Sequence, residues 1–324
     1  MPGSQVMQRS RDAPTKGRIF QMGSPDTPSP VTDAARHWRP SALLHGSLAL
    51  NLGAAALVLA RPPLWPWALS AVVADHLLLA TAGLWPRSHL LGPNWTHLPA
   101  RPNGAARGAA ETLTAARAPA SVAITIDDGP DPEVTPRVLE LLDEQGARAT
   151  FFCIGERIAQ HPALARAIVE RRHEIGNHTY RHPMSFSLLG PRAMAEEIAR
   201  AQEVIGTATG SVARFFRAPA GLRNPFLEPV LARANLQLVS WTRRGFDTVT
   251  GSATRVLGSL TRHLRPGDIL LLHDGHAART AAGVPVILEV LPPLLAAVAA
   301  AGLTPVTLRD ALAQASAGAA KASK

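Results

Sequence analysis

Residues 121–130 read Ser-Val-Ala-Ile-Thr-Ile-Asp-Asp-Gly-Pro, an apolar run that ends in two adjacent carboxylates, a glycine and a proline. Such a run, closed by Gly and Pro, is typical of a buried strand that leads into a turn. Two neighbouring carboxylates at that point can share metal-assisted hydrolysis, because one can bind a cation while the other takes a proton from the water that the cation holds. The segment therefore predicts a strand and a catalytic centre at its end.

Short apolar runs alternate with amphipathic segments downstream of this point. The apolar runs lie at 121–126, 149–154, 174–177, 213–217, 236–242, 268–273 and 303–307, and the amphipathic segments at 134–145, 163–172, 192–206, 253–264 and 284–301. This alternation predicts an α/β fold with a parallel sheet or barrel. Active sites of α/β barrels gather at the carboxyl ends of the strands, and the polar residues of interest follow these runs.

Composition limits the class of protein. The chain has 324 residues, 46% of them hydrophobic, and one cysteine, which allows a large core and excludes an internal disulfide. Cys153 lies in an apolar run and is predicted to be a packed, inert thiol. From residue 121 onward 22 Lys and Arg face 19 Asp and Glu, so most of the net charge of +9 lies in the N-terminal region. That asymmetry favours a membrane partner over nucleic acid.

Two apolar runs follow a basic arm of residues 1–40, which is predicted to be disordered because it lacks apolar periodicity. Residues 41–60 and 64–85 are each long enough to cross a bilayer, for which about 20 residues are needed. We therefore predict a transmembrane helical hairpin over 41–85. Asp75 and His76 lie near the middle of the second run, where a charge is costly unless it is paired. A soluble helical hairpin is the alternative.

Basic residues flank the hairpin on both outer sides, whereas Arg61 is the only one between its two runs. The positive-inside rule then places both ends in the cytoplasm, and with them the rest of the chain, as part of a protein of the cell (inner) membrane. Residues 86–120 are rich in Pro, Gly, Ala and Arg and are predicted to be a linker. We expect a catalytic domain over 121–314 and a disordered tail over 315–324.

His178 and His182 are four residues apart, so a helical turn between them would place both imidazoles on one face, where they could bind one cation. An HxxxH pair alone is weak evidence, because surface pairs of this kind are common. With Asp128 it would form a set of two histidines and one carboxylate that leaves positions for water and substrate, as a catalytic zinc site requires.

Five segments resemble, in order along the chain, the five motifs of the polysaccharide deacetylase family, also called the NodB-homology domain or carbohydrate esterase family 4. They are TIDDGP, HTYRH, Arg217-Ala218-Pro219-Ala220-Gly221, Trp241 to Asp247 and Leu271-Leu272-His273. The resemblance covers residues 121 to about 310 and implies a distorted (β/α) barrel of the NodB type. It also implies a hydrolase that removes acetyl groups from amino sugars with the aid of a divalent metal.

The resemblance assigns a role to each matching residue. Asp128, His178 and His182 would hold the metal, with zinc expected first and cobalt, manganese or nickel as alternatives. Asp127 would be the catalytic base, oriented by Arg217, and the backbone N–H of Ala220 would help to hold the oxyanion. His273 would be the general acid, oriented by Asp247.

Three positions depart from the family pattern. Ala220 replaces an aromatic residue, Arg244 stands where an acid is usual, and Thr248 stands where a tryptophan is usual. Two aromatic surfaces for a sugar ring are thereby lost, whereas Arg243 and Arg244 add positive charge that would suit a phosphate. Solvated arginines on a loop are an equally good interpretation. No role follows from the sequence for His276 and Arg279.

The predicted function is removal of an N-acetyl or N-acyl group from an aminosugar-containing glycan or a lipid-linked sugar. Two alternatives remain open: an amidohydrolase that acts on a non-sugar amide with the same site, and a catalytically silent membrane scaffold that keeps the metal for stability. The presence of a base and an acid beside the metal ligands argues against the scaffold. Sequence names neither the sugar nor any protein partner.

Overall fold

The computed structural model describes residues 36–99 and 120–322. An eight-stranded sheet runs in the order β5-β4-β3-β2-β1-β7-β6, with β8 paired to β1, and all its pairings are parallel. The strands are β1 (Ala120–Asp127), β2 (Ala149–Cys153), β3 (Glu174–Asn177), β4 (Phe215–Phe216), β5 (Gln237–Leu238), β6 (Arg243–Arg244), β7 (Ile269–His273) and β8 (Leu303–Pro305). Each predicted apolar run overlaps one of these strands, and β6 lies in none of them. The predicted parallel α/β barrel fold is confirmed.

Helices connect most consecutive strands, as the right-handed crossovers of a parallel sheet require. They are α3 (Thr135–Glu144), α4 (Gly155–Gln160), α5 (Pro162–Glu170), α6 (Pro191–Thr209), α7 (Leu227–Arg233), α8 (Ala253–Thr261), α9 (Val286–Ala300) and α10 (Leu308–Ala322), which follow α1 (Ala42–Ala60) and α2 (Trp65–Leu84) near the N-terminus. β5 and β6, the two ends of the sheet path, are joined directly by residues 239–242 without a helix.

The alternation of side chains in β1 separates the core from the site. Ile124 and Ile126 are fully buried and pack with Leu291 of α9 on the helix side of the sheet. Since successive residues of a strand point to opposite faces, Thr125 and Asp127 point to the inner side of the curled sheet. The hydrophobic pattern of one strand therefore fixes where its terminal carboxylate points.

α1 and α2 are both long and apolar enough to cross a membrane by length and composition. The 20 residues of α2 rise about 30 Å, which matches the hydrocarbon core of a bilayer. Asp75 is buried between the two helices, where it accepts hydrogen bonds from Ser47 Oγ (2.7 Å) and Asn51 Nδ2 (3.1 Å). The acid in the second apolar run is therefore paired, which removes much of its cost in a bilayer.

Both ends of this hairpin contact the domain that carries the sheet. Arg36, before α1, forms an ion pair with Glu228 of α7. At the end of α2, the carbonyl of Gly83 accepts a hydrogen bond from the Arg223 N–H at 3.1 Å. The hairpin is therefore anchored to the domain on both of its chain connections.

Residues 86–98 lie against the sheet. Trp95 pairs with Val239 in the connection between β5 and β6, and its ring packs 5.3 Å from that of Phe215. The Ser240 Oγ donates to the carbonyl of Pro86 at 2.6 Å, and Thr242 Oγ1 to that of Thr96 at 2.6 Å. This part of the expected linker is therefore ordered against the domain.

Two further expectations concern the chain ends. α10 continues to Ala322, so a helix occupies most of the tail that was expected to be disordered over 315–324. Residues 1–35 of the basic arm and 100–119 of the linker lie outside the described residues. The division into arm, hairpin, linker, domain and tail stays a prediction.

Replacement of Gly83 tests the attachment of α2. A Cβ there would lie 2.2 Å from the Arg223 carbonyl oxygen, whereas a Cβ at Gly53 in α1 would meet nothing within 4 Å. We expect Gly83→Ala to cost about 1–3 kcal/mol, because backbone must move to admit the methyl group. Thermal unfolding in detergent micelles should show a lower midpoint for Gly83→Ala and an unchanged or higher one for Gly53→Ala. Equal midpoints would contradict the close contact.

Candidate active site

Asp127 and Asp128 lie at the carboxyl end of β1 and line one cavity together. In a continuing strand two adjacent side chains would point to opposite faces. Asp128 instead has a φ of 72°, in the left-handed region that aspartate tolerates better than most residues. This turn brings the second carboxylate to the side of the first.

His178 and His182 follow β3, and their rings lie 4.7 Å apart. The segment between them does not form the helical turn that would bring them together, because it is irregular, with Thr179 at a φ of 64° and His182 at 54°. The hydroxyl of Thr179 accepts a hydrogen bond from the His182 N–H at 2.9 Å and holds this turn. Local side-chain bonding therefore achieves the convergence that was expected from helical spacing.

Asp128, His178 and His182 present one potential ligand atom each, all within 4.8 Å of one another. The Nε2 atoms of His178 and His182 lie 3.3 and 3.4 Å from Asp128 Oδ1. His178 Nδ1 is 2.8 Å from the carbonyl of Arg217, which can only accept, so Nδ1 carries the proton and the Nε2 lone pair faces the cluster.

The protonation states of this cluster suit a divalent cation. Burial lowers the pKa of His182 to about 4, so this imidazole is neutral at pH 7. Burial disfavours the charged form of Asp128, but its polar contacts with His178 and His276 outweigh burial and lower its pKa. An ionised carboxylate and neutral imidazoles are the ligands that zinc binds, so the residues present fit the metal.

Arg217 lies behind Asp127 and is 1% exposed. Its Nη1 donates to Asp127 Oδ1 at 2.6 Å and to Thr125 Oγ1 at 2.8 Å. Nη2 donates to the carbonyl of Ser240 at 2.8 Å and Nε to that of Val239 at 3.2 Å. The guanidinium is therefore held by four acceptors, and it fixes Oδ1 of Asp127. The other carboxylate oxygen of Asp127, Oδ2, lies on the side of His178, 3.9 Å from the His178 Nε2 atom.

His273 ends β7 and contacts Asp247 twice. Its Nδ1 lies 2.9 Å from Asp247 Oδ1, and its backbone N–H donates to Oδ2 at 2.7 Å. Burial disfavours the imidazolium, but the hydrogen bond and charge of Asp247, with the charges of Asp127 and Asp128, raise the pKa of His273. Nδ1 is thereby occupied, and Nε2 is left for the cavity that His273 lines.

The predicted site residues come together around a cavity of about 610 Å³. Asp127, Asp128, His178, His182, Ala220 and His273 line it, whereas Arg217 and Asp247 lie buried behind two of them. Ala220 has a φ of 53° in the turn Pro219–Gly221. A flat aromatic surface is provided by Trp241, while Ala220 and Thr248 supply none.

The residues without assigned roles fall into different environments. Arg243 is engaged structurally, because it pairs with Asp268 at 2.6 Å and donates to the carbonyls of Arg262 and His263. Arg244 lines the cavity. Arg279 is exposed and lies 3.6 Å from Glu133.

Several cavity residues were missed or left without a role by the sequence reasoning, among them His276, Arg157 and Met184. His276 Nδ1 lies 3.3 Å from Asp128 Oδ2, and its Nε2 lies 3.2 Å from Arg157 Nη2. Met184, also on the cavity wall, is 75% exposed. Arg157 and Met184 carry no motif that could have singled them out. His276 follows β7 by three residues, and this proximity to a strand end was the available signal.

Asp274 is buried against α3, where Thr135 Oγ1 and the Gly275 N–H donate to its carboxylate. Burial raises its pKa to about 7. The same carboxylate lies 2.5 Å from where a Cβ of Gly129 would be, so only glycine fits after Asp128. Asp274 therefore packs against the turn that carries the carboxylate pair.

Asp247→Asn should lower the pKa of His273 in the metal-free protein, because burial then acts without the opposing charge. Since the parent pKa is raised, the group stabilises the fold below pH about 6.5 and loses that contribution as pH rises through the raised value. NMR titration of the imidazole measures the change. Asp310→Asn, which removes a carboxylate 38% exposed and distant in the fold, serves as the control. An unchanged titration in Asp247→Asn would contradict the assignment.

Comparison with known proteins agrees with this geometry. A family model described as "Polysaccharide deacetylase" matches residues 115–239. The chain is 38% identical over 157 residues to a chitooligosaccharide deacetylase of Bradyrhizobium sp., which covers 48% of this chain and 71% of the relative. It is 34% identical over 175 residues to a peptidoglycan-N-acetylglucosamine deacetylase of Bacillus cereus, which covers 53% of this chain and 81% of the relative.

Among solved structures, a family 4 carbohydrate esterase from Streptomyces lividans in complex with acetate is 33% identical, with a TM-score of 0.53 over 57% of this chain and 91% of that chain. The identity of 38% to the Bradyrhizobium enzyme, over 71% of the length of that enzyme, shows common descent of this domain. The chain belongs to the polysaccharide deacetylase family.

Proposed function

We propose that the protein is a metal-dependent carbohydrate N-deacetylase that hydrolyses the acetamido group of an N-acetylated amino sugar. The observation that carries this proposal is the combination, around one cavity, of a metal-type ligand cluster with a carboxylate and a histidine at the neighbouring ends of β1 and β7, suited to act as base and acid. The relatives named as sugar deacetylases support the same chemistry.

In this proposal Asp128, His178 and His182 hold a divalent cation, zinc in the first instance and cobalt, manganese or nickel as alternatives. Bound there, the cation would supply polarisation of the acyl carbonyl and a more acidic water. Asp127 Oδ2 takes the proton of the attacking water, while Arg217 keeps the other oxygen in place and the carboxylate oriented.

The remaining steps use two other groups that line the cavity, Ala220 and His273. The Ala220 N–H donates a hydrogen bond to the oxyanion of the tetrahedral intermediate, a type of donor whose loss costs about 10²–10³ in turnover. His273 Nε2 donates a proton to the departing amine, and Asp247 holds the imidazolium through Nδ1. These roles of Asp127, Arg217, Ala220, His273 and Asp247 belong to the proposal.

The two alternatives, an amidohydrolase on a non-sugar amide and a silent scaffold, would use the site differently from a sugar deacetylase. An amidohydrolase acting on a non-sugar amide would use the same base and acid, and the loss of aromatic surface at Ala220 and Thr248 favours it. A silent scaffold would need the metal cluster alone, and the buried Asp247–His273 pair would then have no purpose. The deacetylase explains both the cluster and the pair.

Acetate release from a panel of substrates tests the proposal. Full-length protein is stripped of metal, reloaded separately with zinc, cobalt, manganese or nickel, and given chitooligosaccharides, peptidoglycan fragments, lipid-linked amino sugars or simple acetamides. We expect metal-dependent release from N-acetylated sugars. Asp128→Ala should lose both metal and activity, whereas Asp127→Asn should keep metal and lose turnover by about 10²–10⁴. Asp310→Asn is the control.

Other outcomes separate the alternatives. Release from simple acetamides alone would identify the amidohydrolase, and bound metal with no turnover of any substrate would identify the scaffold. If Asp127→Asn were empty of metal and Asp128→Ala fully loaded, the proposed division of labour between the two carboxylates would be reversed.

We also propose that α1 and α2 cross the inner membrane and that the catalytic domain faces the cytoplasm. Basic residues on both outer sides of the hairpin, with Arg61 alone between the runs, support this orientation. Trp65 and Trp67 at one end of α2 and Trp85 at the other are 57%, 75% and 58% exposed, as expected of side chains at the two membrane interfaces.

Reporter fusions after residue 120 test the orientation. Alkaline phosphatase is active only outside the cytoplasm, whereas a fluorescent protein that folds only inside it is bright there. We expect fluorescence without phosphatase activity, because the positive charges remain on the cytoplasmic side. The reverse pattern would place the domain outside, and fluorescence recovered in the soluble fraction instead of the membrane fraction would favour a soluble hairpin.

A further inference from the structure

A second cavity of about 330 Å³, which we call the hairpin cavity, adjoins the catalytic cavity. The two share Trp241 and Arg244, and the others that line the hairpin cavity are Trp85, Pro86, Arg87, Thr242 and Phe246. Three aromatic rings and two guanidinium groups contribute to this lining, and no carboxylate does. Its chemistry therefore differs from that of the catalytic cavity, which contains two aspartates.

Arg244 lines both cavities, and no carboxylate in the part of the chain that the structure describes neutralises its charge. Among the described residues it forms no ion pair, and its Nε is buried without a hydrogen bond. Its guanidinium lies 5.7 Å from the ring of Trp241 and 5.0 Å from that of Phe246, which hold the group in place without neutralising it. The neighbouring Arg243, by contrast, is fully engaged with Asp268 and two carbonyls.

The hairpin cavity lies where α2 ends. Trp85 and Arg87 follow α2 directly, and Arg87 Nη1 lies 3.3 Å from the carbonyl of Thr242. A Cβ on Gly221, a residue of the catalytic cavity, would lie 2.8 Å from Pro86. The opening of the active site is therefore attached to the end of the proposed membrane span.

Apolar side chains around this cavity are exposed. Phe246 is 53% exposed and Trp85 58%. Phe246 adopts a φ of 59°, which is unfavourable for an aromatic residue and costs on the order of 1–3 kcal/mol. Exposed apolar surface beside an unpaired cation fits a ligand that has both an anionic group and an apolar chain.

We propose that the hairpin cavity binds the phosphate of an amino sugar that is joined through phosphate to a membrane lipid, with Arg244 as the main phosphate ligand and Arg87 beside it. The lipid chain stays in the bilayer next to α2, while the acylated sugar enters the catalytic cavity past Trp241. This inference rests on the proposed deacetylase function and on membrane insertion of the hairpin, and it narrows the substrate to one class.

Steady-state kinetics of the full-length protein in phosphatidylcholine vesicles test this inference. The substrates are N-acetylglucosamine joined by diphosphate to a polyprenyl chain, the same sugar on an alkyl chain without phosphate, soluble N-acetylglucosamine 1-phosphate, and a chitooligosaccharide. We expect the first to have the lowest KM. Arg244→Gln should raise that KM about 10- to 100-fold with little change in kcat, because a charge-assisted hydrogen bond is lost.

Matched variants separate the site from general charge. Arg244→Lys should recover part of the affinity, since it keeps the charge and loses the planar fork. Arg192→Gln, which removes an exposed arginine that lines neither cavity, should leave all four substrates unchanged. For the chitooligosaccharide, which carries no phosphate, Arg244→Gln should raise the KM less than it does for the polyprenyl diphosphate sugar.

A binding measurement keeps the two proposals distinguishable. Asp127→Asn protein in vesicles is titrated with polyprenyl phosphate, polyprenol and inorganic phosphate while tryptophan fluorescence is followed. Of the three probes, we expect only polyprenyl phosphate to bind. Adding Arg244→Gln to the Asp127→Asn protein should abolish the fluorescence change. If chitooligosaccharide is turned over but Arg244→Gln does not change the binding of polyprenyl phosphate, this inference is overturned and the proposed deacetylase function stands. Binding of polyprenyl phosphate through Arg244 without deacetylation of any sugar overturns the deacetylase and supports the phosphate site.

Discussion

The buried guanidinium of Arg217 is the interaction on which the site depends. It joins β4 to Asp127 and Thr125 of β1 and to the carbonyls of Val239 and Ser240 beyond β5, so that one side chain connects separate parts of the curled sheet. A cation buried to this extent requires a full set of partners, and removal of any of them would leave an uncompensated charge. The carbonyl of the same residue fixes the tautomer of His178. The orientation of the candidate base and that of a candidate metal ligand are thereby linked.

His273, at the end of the strand next to β1, depends on a buried partner in a similar way. Asp247 is fully buried and contacts both the ring and the backbone of His273, so β6 and β7 must be in register for the acid to be positioned. β6 consists of only two residues, and its pairing with β7 is what places Asp247. The same short strand carries Arg243, which ties it to Asp268, and Arg244, which points to the shared wall of the two cavities.

The N-terminal hairpin is part of this architecture. Arg36 and residues 83–98 attach its two ends to the domain, and the second attachment fills the space beside the connection between β5 and β6. A long flexible tether would leave the active site free to sample any orientation above a membrane. The contacts of Gly83, Pro86 and Trp95 instead hold the opening of the site next to Trp85, at the end of α2.

The sequence by itself determined the parallel α/β fold and every strand except β6, and it predicted the residues that the structure brings together around the cavity. Apolar runs of strand length report burial directly, and the carboxyl end of a parallel strand is a fixed place for a polar residue, as Asp127 and His273 illustrate. Only the tertiary structure decided how Asp128 and His182 turn into the site, because left-handed backbone conformations depend on local bonding that no periodicity reveals. It alone separated Arg243 from Arg244 and placed residues 86–98 against the sheet, since partners distant in the chain determine these contacts.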